Sequence, residues 1–293
     1  MQILDGKVAS QAIKDDLKDK IALLRADGKK APHLAAVLIG NNPASETYVA
    51  SKVKNCREIG ITSTLLRLED SISETALLKI VGGLNADKEI DGILVQLPLP
   101  QGISEEKVIN AIAPRKDVDG FHPVNVGKMV LGQPGFVSAT PFGILLMMQY
   151  YQIDPSGKQV VVIGRSNIVG TPITVLLSRN TAWGNATVTL CHSRTKQLKA
   201  ICLQADIIIA AIGRPKFVTA DMVAENAVVI DVGINRIKDD SKKSGYALTG
   251  DVDFAAVAPK CSYISPVPGG VGLMTIAALL LNTYQACLDA GKE

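Results

Sequence analysis

The chain has 293 residues, 47% of them hydrophobic and 20% charged, with a net charge of +3. That length suits two domains of ordinary size, and the composition suits a folded α/β protein rather than a disordered one. The small net charge and the lack of Lys/Arg clusters interleaved with aromatics argue against a nucleic-acid binder. Five scattered cysteines, Cys56, Cys191, Cys202, Cys261 and Cys287, form no C-x-x-C, and the three histidines show no metal-ligand spacing. The cysteines read as reduced thiols and no metal is expected. The start, MQILDGKVAS, carries no apolar signal segment, and the longest apolar run, 271–281, is too short for a bilayer span. A cytoplasmic protein without a membrane partner is the expectation.

In chain order, 8–24 has apolar residues at helical spacing. Residues 33–45 read as a buried strand and polar loop, and 45–60 as a helix with Ser45 as its N-cap. Residues 63–69 are strand-like, 73–87 helical behind Ser73, and 90–102 an apolar strand entering a proline-rich loop. A short helix at 104–112 precedes KDVDGFHPVN, and 138–151 begins a long apolar helix. QVVVIGRSNIVGTP (159–172) follows, with a β-branched strand, a glycine turn and a helix from Ile168 that tolerates Pro172 in its first turn. Further strands are expected at 186–193, 205–213 and 227–235, and an apolar helix closes the chain. This βαβα pattern predicts two parallel-sheet α/β domains facing a cleft, the second Rossmann-like.

The strand–glycine–helix unit at 159–172 can offer backbone N–H groups and a helix N-terminus to a phosphate, although Gly164 and Gly170 are not a full G-x-G-x-x-G. After the second strand of that unit the sequence is Cys191-His192-Ser193-Arg194, with no carboxylate for ribose hydroxyls. Arg165, Ser193 and Arg194 supply donors and positive charge, which favours NADP over NAD; a solvated basic loop is the alternative. Tyr48 and Lys52 share one helix face, and a half-buried lysine there could act as acid or base, although spacing alone favours a solvated surface lysine. Gln96 sits where a strand meets its loop, the usual place for ligand contacts, or is a plain loop hydrogen bonder. Asp119 could accept two parallel bonds from a heterocycle or serve the turn at Gly120. The glycines of PVPGGVG (266–272) permit close backbone approach to a ligand, or simply make a turn.

YVASKVKNCREIGI (48–61), DGILVQLPLP (91–100), KDVDGFHPVN (116–125), GRSNIVGTP (164–172), HSRT (192–195), IDVGIN (230–235), GDVDF (250–254) and PVPGGVG (266–272) resemble the bifunctional methylenetetrahydrofolate dehydrogenase/cyclohydrolase family. The likeness runs from near residue 1 to near residue 290. It implies NADP-dependent oxidation of methylenetetrahydrofolate to the methenyl cation, then hydrolysis to 10-formyltetrahydrofolate, as part of one-carbon metabolism. It also implies a homodimer. Lys52 would be the central catalytic residue, oriented by Gln96, with Tyr48 positioning the folate and Asp119 binding the pterin edge. Pro268, Gly269 and Gly270 would line the folate pocket, and Gly164, Arg165, Ser166, Ser193, Arg194 and Ile234 would hold NADP. The implied domains are 1–142 with 273–293 for folate, and 143–272 for NADP.

Two departures stand out. Leu273 replaces the proline usual after PVPGGVG, which is expected to loosen the turn or alter a pocket wall. Ser138-Ala139-Thr140-Pro141 replaces the usual P-C-T-P, so a thiol role is not expected there. Competing readings are a dehydrogenase of the shikimate type, which should lack the paired YVASK and VQLPLP stretches, and a silent nucleotide-binding protein, which should have lost its polar site residues.

Overall fold

The computed structural model describes residues 1–239, 241–242 and 245–291. The chain runs through β1 (Gln2–Ile3), α1 (Gly6–Ala26), β2 (His33–Ile39), α2 (Pro43–Ile59), β3 (Thr62–Leu68), α3 (Glu74–Ala86) and β4 (Gly92–Val95). It continues with α4 (Glu105–Ala111), α5 (Pro123–Leu131), α6 (Ala139–Tyr150), β5 (Gln159–Ile163), α7 (Gly170–Ser178), β6 (Thr187–Cys191), α8 (Leu198–Cys202) and β7 (Ile207–Ala210). It ends with β8 (Val228–Asp231), β9 (Asn235–Lys238), β10 (Tyr246–Thr249), α9 (Phe254–Val257), β11 (Tyr263–Ile264) and α10 (Val271–Ala290). Two compact units result: Ala12–Ala139 with Ile276–Glu293, and Met1–Gln11 with Thr140–Thr275.

The first unit holds a three-stranded parallel sheet in the order β3-β2-β4. Its middle strand, HLAAVLI, is buried from Leu34 to Ile39, as a near-continuous apolar run demands when both faces are covered. β3 is an edge strand and alternates exposed with half-buried residues. A bridge between Ile93 and Asp117 lays the 116–118 stretch beside β4. The apolar side chains of β2 and β4 pack on Leu77, Val81 and Leu84 of α3 and on Val108 of α4. Helix starts follow local chemistry. Ser73 caps α3 by accepting from Ala76 N–H, and His122 Nδ1 accepts from Val124 N–H to start α5. Helix α2 begins earlier than expected, at Pro43. The capping acceptor is Asn42 Oδ1, which takes the Ser45 N–H at 3.3 Å, while Ser45 is itself buried within the first turn.

The second unit is built on a six-stranded sheet, β1-β11-β8-β7-β5-β6, parallel at every pairing. β5, β7 and β8 form its buried centre. The chain leaves β5 for β6 on one side and returns past β5 to β7 on the other, so strand order reverses between β5 and β7. Ligands of open parallel sheets bind beyond the strand ends at such a reversal. Gly164 has φ +119°, and a Cβ there would overlap the Ala211 carbonyl; a Cβ on Gly170 would overlap the Gly164 carbonyl. Three chain segments thus meet backbone to backbone at the reversal, which explains the glycine spacing better than any partial match to a fingerprint. Helix α7 begins at Gly170 rather than Ile168, with Pro172 in its first turn.

Several expectations are corrected. The pattern is not βαβα throughout, because β9 and β10 form an antiparallel hairpin. Residues 1–11 belong with the six-stranded unit, as do 140–142, and not with 12–139; Gln2 and Ile3 pair with Tyr263 and Ile264 on its edge. Leu273–Thr275 also belong with that unit. The closing apolar run is part of a helix of 20 residues, long and apolar enough by length and composition to cross a bilayer. The apolar run 271–281, too short for a span by itself, is the first part of this helix, which continues to Ala290. Its most apolar window is 67% buried in the protein, as a core helix should be. Leu273 does not leave its turn open: its N–H, which a proline would lack, donates to Gly270 O at 3.2 Å.

Gly164→Ala should combine a disfavoured positive φ with overlap at Ala211, and lower the stability of the six-stranded unit by about 3 kcal/mol or more. Fluorescence of Trp183, the single tryptophan, followed through urea unfolding measures this. An unchanged midpoint would refute the close-approach account.

Candidate active site

Lys52 lies on α2, one turn after Tyr48, and is 5% exposed. The reading of it as a solvated surface lysine is therefore wrong. Its Nζ donates to Gln96 Oε1 at 3.3 Å and lies 5.1 Å from the centroid of the Tyr48 ring. Gln96 follows β4 directly, and its backbone N–H extends the ladder to Val37 O at 2.9 Å. Its Nε2 donates to Leu97 O at 2.7 Å, which turns Oε1 toward the lysine; the flipped amide would set donor against donor. Burial holds the Lys52 pKa below the usual lysine value, against the opposing pull of the Asp119 charge and a smaller one from Cys56. Cys56, one further turn along α2, is fully buried and its thiol is pushed up to about 12 by burial, so it stays protonated and apolar.

Asp119 is half-buried, and burial raises its pKa while Lys52 lowers it. Each group thus moves the other toward its charged form, and for each the loss of water is the larger effect. The loop that carries Asp119 is over-determined. Asp117, 1% exposed, accepts from Phe121 N–H at 3.2 Å, His122 N–H at 2.8 Å and Asn125 Nδ2 at 2.9 Å. Asn282 of α10 donates to Val118 O at 2.8 Å and Val137 O at 3.0 Å. Gly120, at φ +72°, lies where any Cβ would strike the backbone of Val137 and Ser138. Sequence reasoning singles out Asp119 and passes over Asp117, yet Asp117 holds the loop. The signal was an Asp four and five residues ahead of free N–H groups that lead into a proline-started helix.

In the six-stranded unit, Ile163 pairs with both Cys191 and Ala210, so the turns after β5, β6 and β7 share one sheet end. Gly164 N–H donates to Cys191 O at 2.9 Å. Arg165, Ser166, Ser193 and Arg194 are all exposed there. Ser166 Oγ accepts from Val169 N–H at 3.1 Å and shapes the entry to α7; His192 Nδ1 accepts from Arg194 N–H at 3.2 Å and fixes the second turn. This end gathers two guanidinium groups, two hydroxyls and a glycine-tight backbone without a carboxylate after β6, a donor set that fits a dinucleotide with an extra ribose phosphate. Ile234, 54% exposed, lies next to Gly272, whose Cβ would touch its Cδ1. Pro268, Gly269 and Gly270 sit in the same unit. Gly6 N–H donates to Gly269 O at 2.8 Å, and a Cβ on Gly6 would overlap Gly270 O. Among the described residues no group of three His, Cys, Asp or Glu side chains could hold a metal, and all five cysteines are free and buried.

Residues 4–119 match the model of the tetrahydrofolate dehydrogenase/cyclohydrolase catalytic domain, and residues 138–290 match that of the same family's NAD(P)-binding domain. The chain belongs to the tetrahydrofolate dehydrogenase/cyclohydrolase family. It is 60% identical over 286 residues to the bifunctional protein FolD of Cytophaga hutchinsonii, covering 98% of this chain and 99% of that one. Among solved structures, the Campylobacter jejuni bifunctional FolD aligns with TM-score 0.92 at 47% identity over 99% of each chain. A Trypanosoma brucei FolD complexed with NADP and an inhibitor aligns with TM-score 0.93 at 34% identity, over 99% of this chain and 98% of that one. Among the residues quoted for the family likeness, Tyr48, Lys52, Gln96 and Asp119 lie in the first unit; the six expected cofactor residues and Pro268–Gly270 lie in the second.

Burial raises the Asp117 pKa from 3.8 to about 6, against the three bonds that favour its charged form. The folded protein thus holds this proton more tightly than the unfolded chain. The resulting stability is full below the unfolded pKa and is lost as pH rises through about 6, by at most about 3 kcal/mol. Urea unfolding of wild type and Asp117→Asn between pH 4 and 7 measures this. The difference between the two should shift against wild type with rising pH, and parallel pH profiles would contradict it.

Proposed function

We propose that this chain oxidises 5,10-methylenetetrahydrofolate with NADP and hydrolyses the 5,10-methenyl product to 10-formyltetrahydrofolate. The single observation that carries the proposal is the buried Lys52 amine, held by Gln96 and next in line to Tyr48 and Asp119, in a chain of this family. NADP supplies the hydride acceptor. Hydride loss leaves a delocalised cation on the folate, so a neighbouring lysine is tolerable only if its own charge is weakened, and burial does that. Lys52 as a neutral amine takes the proton of the water that adds to the methenyl carbon. Breaking the bond from that carbon to N5, with a proton delivered to N5, leaves the formyl group on N10. Gln96 keeps the amine aimed, and Tyr48 gives the folate a ring face.

Asp119 accepts hydrogen bonds from the pterin edge, on a loop that Asp117 holds still. Pro268, Gly269 and Gly270 line the folate pocket. Gly164, Arg165, Ser166, Ser193, Arg194 and Ile234 hold NADP, the arginines answering its ribose phosphate. The protein works as a cytoplasmic homodimer, which light scattering of the purified protein tests.

A spectrophotometric assay with methylenetetrahydrofolate and each nicotinamide cofactor, followed through methenyl decay, tests both activities. Lys52→Met should lower methenyl hydrolysis at least about a hundredfold and leave NADP binding intact. The wild-type hydrolysis rate should rise with pH and level off below the ordinary lysine pKa, a limb absent from the variant. Hydrolysis that survives the substitution removes Lys52 from the mechanism. Arg194→Ala should weaken NADP about tenfold or more and NAD little, because a charge-assisted bond to phosphate is worth about 1.5–3 kcal/mol. Equal loss for both cofactors would exclude a role at the ribose phosphate.

A further inference from the structure

Two of the motifs that mark the family likeness, IDVGIN and GDVDF, contribute only Ile234 to the site proposed above. In the structure they form one device around two buried carboxylates. Asp231, 3% exposed at the end of β8, accepts from the N–H groups of Gly233, Asp251 and Val252, each at 2.9 Å. It thereby pins the turn after β10 that carries Asp251. Asp251 is fully buried and accepts from three successive N–H groups of the loop after β7: Ile212 at 2.7 Å, Gly213 at 2.8 Å and Arg214 at 2.9 Å. Asn235 Nδ2 donates to the same carboxylate at 2.9 Å. The glycines of both motifs make room: a Cβ on Gly233 would overlap the Asp251 carboxylate, and one on Gly250 would overlap that of Asp231.

The placement of this clasp matters more than its stability. Successive N–H groups converging on one point are an anion nest, and here the nest is filled from inside by Asp251. The loop it grips begins at Ala211, whose carbonyl lies against Gly164 at the strand reversal. That reversal is where a dinucleotide meets an open parallel sheet. An internal carboxylate in the nest keeps phosphate out of the β7 loop and leaves the turn before α7, with Arg165 and Arg194 beside it, as the anion position.

We propose that Asp251, itself held by Asp231, is a positioning residue that sets the β7 loop against Gly164 and so determines how tightly NADP is bound. This rests on the NADP-dependent reading of the chain. It touches no group of the Lys52 site, so the two activities of one enzyme separate it from a general structural role.

The test measures NADP dissociation constants by titration calorimetry, KM for NADP in the dehydrogenase assay, and methenyl hydrolysis without nicotinamide. Wild type, Asp251→Asn and Asn235→Ala are compared. Asp251→Asn replaces one acceptor oxygen by a donor facing the loop N–H groups; it should raise Kd and KM for NADP at least tenfold and leave hydrolysis within twofold of wild type. Asn235→Ala removes one bond without adding bulk and should raise both two- to fivefold, which keeps the proposal testable if the first variant does not fold. Wild-type affinity for NADP in the folded variants, or parallel loss of both activities, would overturn the clasp. Failure of wild type to bind NADP would instead overturn the functional reading.

Discussion

An amine removed from water is the constraint on which the proposed chemistry depends. A lysine on a solvated helix face would be a permanent cation and useless beside a cationic folate intermediate. Lys52 is brought inside because α2 packs the Tyr48–Lys52–Cys56 face inward and the carboxyl end of β4 delivers an amide oxygen to meet it. The cost of burying a charge is then met by shifting the lysine toward neutrality rather than by a tight ion pair. A full salt bridge to Asp119 would restore the lysine charge and remove the base proposed above.

Three other buried acids, Asp117, Asp231 and Asp251, do a different kind of work. Each accepts three or more donors, mostly backbone N–H, and each ties down a loop or turn outside the sheet ladders. Loops at strand ends cannot satisfy their backbone through the sheet ladder, so carboxylates from neighbouring turns replace it. The result is that the backbone N–H groups of these loops are satisfied without a ladder. Around each carboxylate, glycines stand where a side chain would displace it or its loop.

Much of the architecture was legible before the structure. β2, β5, β7 and β8 are apolar runs of the kind that only a two-sided parallel sheet requires, and glycine turns close several of them. What was misread has local causes. β9 is polar and mostly exposed, and both it and the half-buried β10 are only four residues long, so no hydrophobic period announced the hairpin. β1 and β11 are two residues each, and their pairing across the length of the chain moved residues 1–11 into the other unit. Ser45 looked like a cap because a serine before a periodic run usually is one; Asn42 lies three residues earlier and reached the N–H first.

The candidate residues divide in the same way. Residue types and spacing made Lys52, Gln96, Tyr48, Asp119 and the basic turn at Ser193 and Arg194 candidates at strand ends or on one helix face, and the family likeness, not spacing, supplied their expected roles. Helical periodicity could not say that Lys52 is buried, because a lysine four residues from a tyrosine looks the same on an exposed face as on a packed one. Nor could it separate Asp117, which holds a loop, from Asp119, which is presented by that loop. Burial and hydrogen-bond partners depend on residues remote in sequence, Asn282 against Val118 and Asp251 against Ile212, and those distances exist only once the chain has folded.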